Sequence, residues 1–149
     1  MEKLQFTIKI NAAPQKVWDV MLADASYREW TAAFHAGSYF KGDWTKGSKI
    51  LFLGPDDRGS EGGMVSMIEE SRPAEFISIR HLGIVQERVE ITSGKDVEGW
   101  AGAHENYTFK ADGAGTELII DLDSVSEMAA DMKQMWPKAL EKLKELAEK

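Results

Sequence analysis

Cysteine is absent from the 149 residues. Its absence excludes disulfides, thiolate nucleophiles and cysteine-based metal sites. Histidine is nearly as scarce, with only His35, His81 and His104. The stretch "AHEN" around His104 lacks the His-Glu-x-x-His spacing that places two imidazoles on one helical turn, so no metal is expected. Positive charge is also in deficit, with 18 Lys and Arg against 25 Asp and Glu and a net charge of −7. A sequence-independent grip on nucleic acid needs clustered cations, and so does an anionic membrane surface; neither partner is expected. No run approaches the ~18 apolar residues of a membrane span. The opening "MEKLQFTIKI" alternates charged and apolar residues and lacks the apolar core of a secretion signal, so a cytoplasmic location is expected. "TKGSK" and "GPDDRGSEGG" carry glycines without a complete phosphate loop, and the Asp56–Asp57 pair lacks the ligand period of a calcium loop. No cofactor is expected.

What is present fits one domain over residues 1–149. A hydrophobic fraction of 43% with 29% charged residues is ordinary for a globular chain. This length buries roughly 70% of the unfolded surface, enough for a core without staples. In "LQFTIKI", Leu4, Phe6, Ile8 and Ile10 alternate with polar residues and predict a strand. Pro14 suits the first turn of a helix, and Val17, Trp18, Met21 and Leu22 follow at one-face spacing. Asp24 or Ser26 is expected to cap a second short helix bearing Tyr27 and Trp30 at i and i+3. Strands are expected in "SYFKGDW", "SKILFLG", "MVSMIEES" and "EFISIRHLG", then in a hairpin turning at Asp112–Gly115. Val85, Val89 and Ile91 suggest further alternation beside a loop, "SGKDVEGWAG". The end is helical, with Met128, Met132, Met135, Trp136, Leu140, Leu143 and Leu146 at helical spacing and Pro137 interrupting it.

Strands clustered between helices predict an α+β domain with an antiparallel sheet. The terminal helix, ~22 residues and about 33 Å long, is the one element able to cover the sheet's apolar face. A single helix is narrower than a curved sheet of about six strands, which leaves space beside it for a pocket.

This order resembles the helix-grip fold of the START and pollen-allergen (SRPBCC) superfamily. Within it the closer likeness is to the branch named for the activator of the heat-shock protein 90 ATPase. The residues that carry the likeness are the first strand followed by "APQKVWDVMLADASYREW", the closing "MWPKALEKLKELAE", the "HLG" turn at His81–Gly83, and "GAHENYTF" at Gly102–Phe109. The resemblance implies an internal cavity between sheet and terminal helix, used across the superfamily for lipids, sterols, hormones and other apolar molecules. It also implies, as the alternative partner, a chaperone or other protein.

Strand alternation places Glu105 on the same face as Tyr107 and Phe109, and a carboxylate facing an apolar cavity is costly unless hydrogen-bonded. Glu105 is therefore either a polar handle in the cavity or a group at the strand's open end, meeting water or a cation. His81 shares a face with Ile77 and Ile79. It is either a partner for Glu105 and for a ligand, or a satisfied histidine at a strand end. A His–Glu pair could serve acid–base chemistry, but no nucleophile motif accompanies it, and no catalytic residue is assigned. The candidate ligand-binding set is Trp30, Phe34, Phe52, Met64, Ile79, His81, Trp100, Glu105, Tyr107, Phe109, Met128, Met132 and Trp136. The loops at residues 54–63 and 94–102 are the candidate gates. The expected activity is binding of a small, largely apolar molecule by a monomer.

Overall fold

The computed structural model describes residues 1–56, 58–95 and 97–149. Asp57, half of the Asp56–Asp57 pair, lies outside the described residues, as does Asp96 of the second candidate gate. The chain opens with β1 (Glu2–Ile10), whose Leu4 and Ile10 are buried as the alternation requires. Helix α1 (Pro14–Leu22) begins on its proline and buries Val17, Met21 and Leu22. Helix α2 (Asp24–Trp30) follows almost directly and passes into a 3-10 turn at Thr31–Ala33.

The expected side-chain cap of α2 is not made. Ala23 is the cap residue and makes no side-chain bond, while Asp24 stands in the first turn, where its charge favours the helix dipole. Ser26 instead donates backward to the Val20 carbonyl and ties the two helices together.

Seven further strands complete the sheet: β2 (Tyr39–Gly42), β3 (Lys49–Pro55), β4 (Glu61–Arg72), β5 (Phe76–Gln86), β6 (Val89–Ile91), β7 (His104–Asp112) and β8 (Gly115–Ser124). They pair antiparallel in the order β1-β8-β7-β5-β4-β3-β2, with β6 attached to β5. The count is eight rather than about six, because β1 closes onto β8 and because β6 is a three-residue strand. Two register shifts in the β4–β5 ladder, at Val65/Ser66 and Ile68/Glu70, are bulges that sharpen local twist and curve the sheet. Gly83 sits in that ladder, where an added Cβ would come within 2.0 Å of the Ile91 carbonyl oxygen; only glycine lets β6 pair there.

Helix α3 (Ser126–Ala147) lies across the concave face and runs through Pro137 as one assigned helix. Trp136, Ala139, Leu140, Leu143 and Ala147 form its buried stripe. They join β1, β7, β8 and α1 in a single apolar core. Among the described residues no helix is long and apolar enough to cross a membrane. The architecture is α+β, an antiparallel sheet gripping a C-terminal helix.

Candidate functional site

The core is uneven along the sheet. At the end nearest α1 it is filled: Trp18 packs edge-on against Phe109, with ring centroids 5.3 Å apart. At the other end, between α2, the 3-10 turn, β3–β4 and α3, a cavity of about 360 Å³ remains. That volume lies in the range of small-molecule sites.

Of the sequence-derived set, Trp30, Phe34, Phe52, Met64, Glu105, Tyr107, Met132 and Trp136 line this cavity. Helical spacing explains the pair Met132 and Trp136, which stand at i and i+4 on one face of α3. Trp136 is the hub of the aromatic wall, with Phe34 at 4.9 Å and Trp30 and Tyr107 each at 6.1 Å. Trp30 is fixed by its indole N–H, which donates to the Met21 carbonyl at 3.0 Å. The opening helix pair thus holds one wall through a backbone group of α1.

The remaining five do not line it. Ile79 is wholly buried in the central sheet, paired with Ile68 on β4 and Glu105 on β7. Phe109 belongs to the filled end, against Trp18. Met128 is 43% exposed, while its neighbour Ala129 is the residue that turns into the core. Trp100 lies flat against the His81 ring at 5.3 Å and 13°, outside the cavity. His81 is buried one step behind Glu105, which stands between it and the open space.

The two candidate gates also differ. Gly54, Pro55, Asp56, Gly62 and Gly63 stand at the cavity mouth. At Gly63, with φ 152°, an added Cβ would fall 1.8 Å from the Phe52 carbonyl oxygen, so any larger residue would disrupt the mouth. The described part of the second loop is a plug. Val97 is 1% exposed, and the chain returns to β5 through Gly102 N–H to His81 O and His81 N–H to Ala103 O.

Sequence reasoning missed Tyr27, Thr31, His35 and Ser38 as lining residues. Tyr27 was in reach, since it shares the helical face of Trp30. The others lie where the chain bends out of α2, and no periodicity marks such a bend. Thr31 Oγ1 donates to the Tyr27 carbonyl at 2.5 Å, and His35 Nε2 donates to the Pro55 carbonyl at 2.5 Å, which joins the turn to the mouth.

Behind the aromatic wall runs a hydrogen-bonded chain of side chains. Ser66 Oγ meets His81 Nδ1 at 2.7 Å, His81 Nε2 meets Glu105 Oε1 at 3.3 Å, and the Tyr107 hydroxyl donates to Glu105 Oε2. Both carboxylate oxygens therefore have partners, which offsets the cost of holding Glu105 inside. Burial, and then the charge of Glu105, push the Tyr27 phenol far above its ordinary value of 10.0. The same two causes, reinforced by the Glu105 hydrogen bond and then by Tyr27, raise the Tyr107 phenol well above it too. Both tyrosines are neutral hydroxyl donors. Among the described residues no group of three or more His, Asp or Glu side chains is arranged to hold a metal ion.

Comparison with solved structures returns the same fold at low identity. A Mesorhizobium loti protein superposes with a TM-score of 0.71 at 15% identity, covering 97% of this chain and 96% of its own. A Colwellia psychrerythraea Aha1, solved as a dimer, gives 0.70 at 18%, covering 99% and 97%. An AHSA1-like protein from Aeromonas hydrophila gives 0.71 at 14%, covering 97% and 90%. No match was found among curated proteins. The family model described as Activator of Hsp90 ATPase homolog 1-like protein matches residues 11–148. With the helix-grip architecture already in view, the chain belongs to that family.

Proposed function

We propose that this protein binds a small, largely apolar molecule in the cavity between α2, β3–β4 and α3. The observation that carries this reading is the wall itself. Tyr27, Trp30, Phe34, Phe52, Tyr107 and Trp136 surround about 360 Å³, with Glu105 and the tyrosine hydroxyls as the few convergent polar groups. An apolar space with a small number of placed polar groups is the usual anatomy of a ligand site. Interiors otherwise pack densely, so an apolar space of this size is a departure from an ordinary core.

The Ser66–His81–Glu105 line has the order of a nucleophile, base and carboxylate, and His81 and Glu105 are within hydrogen-bond reach. Ser66 is 0% exposed, however, and a nucleophile must meet its substrate. The chain of bonds serves better as the support that orients Glu105, so binding rather than turnover is the reading. A chaperone partner, the alternative that the family's name brings, is separated from it by pull-down with the purified chain.

We read the chain as a cytoplasmic monomer, although the Colwellia relative is described as a dimer. Both sheet edges are blunted: β2 has four residues, and Lys144 Nζ of α3 donates to the Lys9 carbonyl on β1 at 3.1 Å. Light scattering after size exclusion tests this, and a dimer mass overturns it. The binding reading is tested by native mass spectrometry of protein purified from its own host. A retained small molecule supports it. A bare chain that also shows no tryptophan fluorescence change with any member of a broad apolar panel overturns it.

A further inference from the structure

The cavity's charge is one-sided. Among the described residues that line it, the carboxylates are Glu105 and Asp56, and neither Lys nor Arg is present. Asp56 stands at the mouth, where its Oδ1 accepts from the Ser60 and Arg58 backbone N–H groups. Glu105 stands inside. An ionised carboxylate offers about four acceptor positions. His81 and Tyr107 occupy one on each oxygen and leave the others for a donor arriving from the cavity.

Among the described residues no lysine or arginine forms an ion pair with Glu105. Its protein partners are His81 Nε2 at 3.3 Å and the Tyr107 hydroxyl, and His81 is anchored in turn through Nδ1 to Ser66 Oγ at 2.7 Å. Both cavity tyrosines are held in the neutral form by burial and by Glu105. Much of the rest of the wall is aromatic, from Trp30, Phe34, Phe52 and Trp136, and the faces of aromatic rings are themselves electronegative. Trp30, Phe34 and Trp136 present such rings within 6.4 Å of one another.

An occupant that carries a carboxylate or phosphate would therefore meet a like charge with no lysine or arginine beside it in the lining, and ring faces that repel it. A cation would meet attraction from both. Resting on the cavity reading above, we propose that the occupant is a hydrophobic organic cation, an aryl- or alkylammonium compound. Its ammonium group sits against Glu105, and its apolar body lies along Trp30, Phe34 and Trp136.

Three probes of nearly equal shape test this: phenyltrimethylammonium, its neutral isostere tert-butylbenzene, and the anion 4-tert-butylbenzoate. Each is titrated into the wild-type protein and into Glu105→Gln, followed by tryptophan fluorescence and by chemical-shift changes. The expected result is a preference for the cation over the neutral isostere of about tenfold or more in the wild type. That ratio should fall to near one in Glu105→Gln, with tert-butylbenzene affinity retained as the sign that the variant is folded. Equal binding of cation and isostere by the wild type, or tighter binding of the benzoate, overturns the inference and leaves the cavity reading standing. A cation preference that survives in a folded Glu105→Gln overturns the role of Glu105. Binding of none of the three overturns the cavity reading as well. The wild-type ratio alone decides the charge question if the variant does not fold.

Discussion

Tyr107 shows how much one hydroxyl can carry. Its ring packs 6.1 Å from Trp136, and its O–H gives Glu105 one of its two protein partners. Tyr107→Phe keeps the ring and removes the donor, which leaves a partly buried carboxylate oxygen short of a bond. The expected cost is about 1–3 kcal/mol, read as a lower urea midpoint at unchanged slope. An unchanged midpoint would mean that cavity water replaces the phenol fully. This much of the site was legible, because a period of two puts Glu105 and Tyr107 on one face whatever the rest of the chain does. The same rule put His81 on the inner face. It could not say that His81 would stand behind Glu105 rather than beside the open space. Depth along a sheet depends on where the covering helix lies, and no local pattern encodes that.

At the scale of elements, the long alternating strands and the helical stripe of α3 were readable, and the β5–β6 hairpin was not. Its two-residue turn is Glu87–Arg88, with φ of 50° and 66°, between the paired residues Gln86 and Val89. Both turn positions are left-handed, the pattern of a type I′ turn, which normally advertises itself by Asn-Gly or Gly-Gly. Here two charged residues stand in the place of that signal, so the three-residue strand β6 was hidden. Each non-glycine residue there costs roughly 1 kcal/mol against the right-handed region. Replacing Glu87–Arg88 by Asn–Gly should therefore stabilise the fold by about 1–2 kcal/mol. The substitution also removes the exposed Arg58–Glu87 pair at 3.2 Å. Such pairs contribute at most about 1 kcal/mol, so the net sign stays favourable. The check is a raised thermal or urea midpoint; a lowered one would mean that the turn is held by contacts beyond its own backbone.

For the whole molecule, the closure of the chain on itself adds ionised groups to the β1–β8 ladder and the apolar core. Two of the links between the start of the chain and its last elements carry shifted ionisable groups. Lys3 on β1 donates to Asp123 on β8 at 2.8 Å, and Asn11 N–H, just past β1, donates to Glu148 at the end of α3 at 2.8 Å. The Lys3 hydrogen bond, against an opposing effect of burial, holds the Asp123 carboxyl below its ordinary value of 3.8. The Asn11 N–H and then Lys144 hold Glu148 below 4.5. Asp123 in turn raises Lys3 above 10.5. A carboxyl with a depressed folded value adds stability above its unfolded value and loses it as pH falls through the folded one; a raised lysine adds stability below 10.5 and loses it as pH rises. The closure is therefore complete between the carboxyl values of 3.8 and 4.5 and the lysine value of 10.5, and weakens beyond either end. In an acid titration, amide protection in β1 should fall before that of the β4–β5 ladder, whose paired Ile68 and Ile79 are fully buried. Lys3→Met should remove much of the alkaline response of β1 and part of its acid response, since Glu148 remains to titrate. If β1 and the β4–β5 ladder lose protection together at every pH, the two links are incidental and the core alone holds the ends.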